Sequence, residues 1–144
     1  MKKLFFVLVL VLMVIPVSAK GLVNANDAGV LIDGYDVVAY FLEGKAVQGK
    51  SIYQTQTEGV TLFFASEHNL TLFLANPATY LPQFAGHCAN GLSDGHLVKA
   101  NPEIFRIIDG KLYLFFSWWG KAQWKFEQQE QIELANQNWQ KFNK

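Results

Sequence analysis

A chain of 144 residues that is 51% hydrophobic can bury one core and leaves no room for a second domain. Lys plus Arg and Asp plus Glu both number 12, so the chain has no net positive charge to draw it to phosphate backbones, and no nucleic acid partner is expected. The single cysteine, Cys88, excludes an intramolecular disulfide and any dithiol oxidoreductase chemistry.

Met1, Lys2 and Lys3 precede an uncharged apolar run from Leu4 to Val17, then Ser18 and Ala19. A positive start, a short apolar stretch and small residues at Val17-Ser18-Ala19 predict a signal peptide over 1–19, cleaved before Lys20. The run is shorter than a bilayer-spanning helix and carries Pro16, so membrane contact is expected only through the uncleaved precursor. The expected destination is the periplasm or the medium, for one domain over 20–144. With Lys2 and Lys3 gone, acidic side chains outnumber basic ones.

In that domain Val30-Leu31-Ile32 reads as a short strand closed by Asp33-Gly34, and 35–42 as a short helix or turn. Ile52 to Thr57, Glu58-Gly59 and Val60 to Ala65 predict a β-hairpin with one exposed and one buried strand. Ser66 stands at an N-cap position before a helix to Ala75, with Leu70, Phe73 and Leu74 as its inner stripe. Asn76-Pro77 starts another helix, with Tyr80, Leu81 and Phe84 inward. The stretch 86–93 predicts one or two helical turns stopped by Asp94-Gly95. Ile104 to Ile108, Asp109-Gly110 and Lys111 to Phe116 form a second hairpin, since Asp-Gly suits a two-residue turn. From Ser117 to Phe142 the pattern is helical, with Trp119, Ala122 and Phe126 on one stripe and Ile132, Ala135, Trp139 and Phe142 on another. These stripes are out of phase, which predicts either a bend near 128–131 or burial over a broad face. The fold class is α+β: a small antiparallel sheet built from two hairpins, packed with several short helices and a long C-terminal helix.

His87-Cys88 concentrates the candidate chemistry, because imidazole and thiolate are preferred by soft and borderline metals. A helix opening at Gly86 puts Cys88 in its first turn, where the dipole favours a thiolate by only about 0.3–1 kcal/mol; a metal would do far more. His96 lies on the opposite side of a continuous helix and joins Cys88 only if the chain turns back at Asp94-Gly95. The bland reading makes Cys88 a small buried hydrophobe and His68 and His96 solvated side chains. Ser93, Asp94 and His96 have the residue types of a hydrolytic triad, but triad members come from separate elements. Trp118, Trp119, Trp124 and Trp139 read as core aromatics before they read as a ligand pocket.

Gly34-Tyr35-Asp36-Val37-Val38-Ala39-Tyr40-Phe41, Phe64-Ala65-Ser66, the run Phe73 to Tyr80, Gly86-His87-Cys88-Ala89 and Asp109 to Leu114 resemble the YHS domain of small exported bacterial proteins. The resemblance implies a compact α+β domain and a link to metals, since cysteine-rich YHS domains accompany metal transporters and metal-dependent oxygenases. Where those members carry cysteines this chain has Ala39, Ala65 and Asn69, and Val37 replaces the customary proline. A four-cysteine zinc site is therefore absent. The leading expectation is a soft metal ion, copper or else zinc, on Cys88 and His87 with His96 as a third ligand. The alternative is a non-enzymatic accessory module with a buried Cys88 and no metal, whose aromatic surface meets a protein partner or a small apolar ligand.

Overall fold

The computed structural model describes residues 23–144, so the expected signal peptide at 1–19 lies outside the described residues. Val30 and Leu31 make isolated β-bridges, to Thr61 and Ala25, where a strand is expected from sequence. The chain then tightens into a 3₁₀ turn at Ile32–Gly34. Ile32, Asp33 and Gly34 all have left-handed φ, which ends extension one residue early.

Asp36 next fixes α1 (Ala39–Leu42): its Oδ1 accepts the Val38 and Ala39 N–H groups at 2.8 and 3.2 Å. A first hairpin pairs β1 (Lys50–Thr57) with β2 (Val60–Phe64), the first strand largely exposed and the second alternating buried and half-buried. Its turn, Glu58-Gly59, has positive φ at both residues, the geometry that matches strand twist in a two-residue loop. α2 (Glu67–Ala75) starts at Ser66, whose side chain accepts the Asn69 N–H. Phe73 is buried as expected, whereas Leu74 is 57% exposed because the helix turns only one narrow side to β2. α3 (Pro77–Tyr80) begins with proline at its first turn.

α4 (Ala89–Ser93) is a single turn that packs on the C-terminal helix. The second hairpin joins β3 (Asn101–Ile108) to β4 (Lys111–Phe115) through Asp109-Gly110, again with two left-handed residues. Each hairpin remains its own two-stranded antiparallel sheet. The C-terminal segment breaks at Glu127 (φ −129°, ψ 44°) into α5 (Trp118–Phe126) and α6 (Gln128–Phe142), so of the two sequence alternatives the bend holds. On α6 Ala135 is buried, and Ile132, Trp139 and Phe142 pack against the core as predicted.

On α5 the inner stripe is different from the expected one. Gly120 and Trp124 face inward, while Trp119 and Phe126 are 73% and 86% exposed. Gly120 lets the helix approach closely, since a Cβ there would lie 3.3 Å from the Asn90 side chain. Trp124 is fully buried against Tyr113 and Phe115, with ring centroids 5.3 and 5.4 Å away, and its indole N–H donates to Ser93 Oγ. Phe64, Phe73, Leu112, Leu114 and Tyr40 complete the centre of the core.

Candidate functional site

Three consecutive left-handed residues, Phe84 (φ 55°), Ala85 (φ 50°) and Gly86 (φ 83°), deliver the chain to His87. Two of the three carry a Cβ, a conformation costing about 1–2 kcal/mol each, which the surrounding core must hold in place. Asn24 supports the turn: its N–H donates to the Ala85 carbonyl and its side-chain amide to the Gly86 carbonyl. The backbone then extends, and His87 and Cys88 bridge to Lys99 and Leu114 respectively.

Because consecutive side chains of an extended segment leave on opposite sides, the imidazole and the thiol part company. The His87 ring goes toward α6, with its centroid 6.3 Å from that of Trp139. Cys88 goes toward β4 and α4, where it is the N-cap residue, one position before the first helical turn in which sequence places it. Its Sγ accepts the Gly91 N–H at 3.4 Å and the Phe116 N–H at 3.2 Å, and the residue is 3% exposed within the hydrophobic core. The chain does turn back at Gly95 (φ 86°), and the His96 N–H reaches the Gly91 carbonyl, yet the His96 side chain is exposed. His68 is exposed on α2.

The structure thus buries both Cys88 and His87 but directs their side chains apart, and it leaves His96 at the surface. Among the described residues, no group of three or more His, Cys, Asp or Glu side chains stands close enough to hold a metal ion. The Ser93 hydroxyl is tied between the Asn90 carbonyl, to which it donates, and the Trp124 indole, from which it accepts. It caps packing and faces no base.

Several features lie beyond what sequence pointed to. An apolar groove of about 450 Å³ opens beside the left-handed turn, lined by Leu31, Val60, Leu81, Phe84 and Trp139 among others. Asp36 is fully buried with four donors: besides the two α1 amides on Oδ1, its Oδ2 accepts the Ala65 N–H and the Asn69 amide, each at 2.7 Å. The only arginine, Arg106, stands half-buried on β3 facing α5. A lone Asp or Arg has no sequence pattern of its own, although the position of Asp36 three residues before the start of α1 is a capping signal.

Fold and site together define a small α+β domain with a histidine–cysteine step set into its core. Residues 38–84 match the model of the YHS domain, which bears out the resemblance over that stretch. The match runs from the start of α1 to the first left-handed residue and ends before His87. No curated protein and no solved structure matches the chain.

Proposed function

We propose that this YHS-domain protein is exported and serves as a non-enzymatic binding module, with Cys88 as a structural thiol and the outer face of α5 as its working surface toward a protein partner. The observation that carries the reading is the outward placement of Phe116, Trp118, Trp119 and Phe126, on α5 or just before it, each more than 60% exposed. Large aromatics left exposed along one short segment mark interaction surfaces. Export is supported by Lys2-Lys3, the apolar run and Val17-Ser18-Ala19. The structural role of Cys88 is supported by its burial and its two backbone donors.

The test has two parts. A thiol reagent should leave Cys88 unmodified in the folded protein and react at once in denaturant; rapid labelling of the native state would overturn the structural role. Trp119→Ser/Phe126→Ser should keep its melting temperature and lose the partner that the wild type crosslinks in its own compartment. Equal crosslinking by both proteins would remove α5 as the working surface.

A second reading rests on the same His87-Cys88 step. A copper or zinc ion held by Cys88 and His87, with His96 brought in by movement of the 94–96 turn, suits the chemistry of these donors and the metal association of the YHS resemblance. Binding would first have to displace the two N–H donors from Sγ. Metal content of the purified wild type beside Cys88→Ser decides between the readings. Stoichiometric metal lost in the variant favours the site, and equal content in both ends it.

A further inference from the structure

Where β3 meets α5, a surface pocket of about 290 Å³ is lined by Arg106, Trp118, Lys121, Ala122 and Lys125. Three of its five residues are cations and none is an acid. General basicity does not explain this, because the chain as a whole has equal numbers of acidic and basic side chains. Helical spacing does, since Trp118, Lys121, Ala122 and Lys125 recur at three- and four-residue steps along one side of α5.

Among the described residues no ion pair neutralises these cations. The two ion pairs among the described residues, Lys45 with Glu43 and Lys99 with Asp33, lie elsewhere. Arg106 Nη1 is buried and has no hydrogen-bond partner among the described residues. A buried, unsatisfied guanidinium N–H costs free energy until an acceptor arrives. The Lys121 ammonium sits 5.0 Å from the centroid of the Trp118 ring. Burial, and then the charge of Arg106, hold the Lys121 ammonium below its usual pKa, as expected of a partly covered cation beside another.

We propose that this pocket binds a phosphate group, with the Arg106 guanidinium as the planar fork, Lys121 and Lys125 as flanking charges and the Trp118 ring as an apolar wall. A tetrahedral oxyanion offers acceptors to the guanidinium fork of Arg106 and relieves its repulsion with Lys121 at once. The group can arrive as free phosphate or as the headgroup of an anionic phospholipid. The proposal does not depend on Cys88, and its variants leave Trp119 and Phe126 untouched, so it stands or falls separately from the binding-module reading.

The test is calorimetric titration of the folded protein with inorganic phosphate, beside sedimentation with vesicles of phosphatidylcholine alone and of phosphatidylcholine with phosphatidylglycerol. Saturable one-to-one binding of inorganic phosphate, weakened roughly ten- to a hundredfold in Arg106→Gln, is expected, that being the worth of one charge-assisted hydrogen bond. Lys121→Gln/Lys125→Gln, both on the exterior of α5, should weaken binding similarly and serve if Arg106→Gln fails to fold. Lys45→Gln should bind as the wild type does. Binding only to the phosphatidylglycerol vesicles, and lost in the same variants, assigns the headgroup as the source. Absence of binding to both ligands, or equal binding by wild type and pocket variants, overturns the proposal.

Discussion

Asp36 shows how much one side chain organises. Its carboxylate receives the start of α1 on one oxygen and the end of β2 and Asn69 of α2 on the other, joining three elements that are far apart in sequence. Asparagine is nearly the same size but must turn an NH₂ toward donors, and alanine leaves four donors unanswered. Each buried donor left without an acceptor costs about 1–3 kcal/mol, and relaxation recovers only part of it. Asp36→Asn should therefore destabilise by on the order of 3 kcal/mol, a large share of a typical domain's 5–15 kcal/mol. Asp36→Ala should cost at least as much. Urea unfolding at neutral pH measures both, and a loss below 1 kcal/mol for either would show that water replaces the carboxylate. This network was only half legible in the sequence. The local half, an acid before a helix, follows a capping rule, whereas the contacts to Ala65 and Asn69 are long-range and leave no trace in spacing. The same division applies to Cys88, whose residue type was conspicuous while its second donor, Phe116, lies 28 positions away.

At the scale of elements, hairpins and caps were readable because turn chemistry is local. Glu58-Gly59 and Asp109-Gly110 adopt left-handed φ at both residues, and Ser66 caps α2. The orientation of α5 was not readable. Its sequence offers apolar side chains on every side, so periodicity alone does not say which of Trp118, Trp119, Trp124 and Phe126 turns inward. The choice is made by Gly120, which permits close approach to Asn90, and by the space between Tyr113 and Phe115 that Trp124 fills. That inversion leads to an asymmetric expectation for two tryptophans on one helix. Trp124→Ala empties a fully buried site and should cost about 3–5 kcal/mol. Trp119→Ala removes a side chain that is 73% exposed and should change stability by no more than about 0.5 kcal/mol. Thermal melts of the two variants, run side by side, make the comparison, and equal losses would mean that α5 packs through its outer face.

Over the whole molecule, phenols tie the second hairpin to its neighbours, and one of them, Tyr40, ties it to the part that matches the YHS domain. Tyr40 of α1 donates a 2.6 Å hydrogen bond to the Pro102 carbonyl at the start of β3 and packs its ring edge-on to Phe105. Tyr35 approaches Glu103 on the same strand, and Tyr113 lies under Trp124. Burial drives all three phenols above their ordinary pKa of 10.0, helped at Tyr35 and Tyr40 by neighbouring charges including Glu103 and at Tyr113 by Asp109. Raised acid constants mean that the native state keeps protons which the unfolded chain gives up. The stabilisation is complete below pH 10 and drains away above it, by up to about 1.4 kcal/mol per pH unit for the buried phenol of Tyr40. Tyr40, the most deeply buried of the three, should dominate this slope. Tyr40→Phe should lose about 1–2 kcal/mol at pH 7, where the Pro102 carbonyl forfeits its donor, and then fall less steeply than the wild type above pH 10. Urea midpoints from pH 7 to 11.5 would bring the two stability curves together, with lysine titration common to both. Curves that stay parallel through pH 11 would show that Tyr40 ionises without unfolding, and that the junction between the two hairpins rests on its apolar contacts alone.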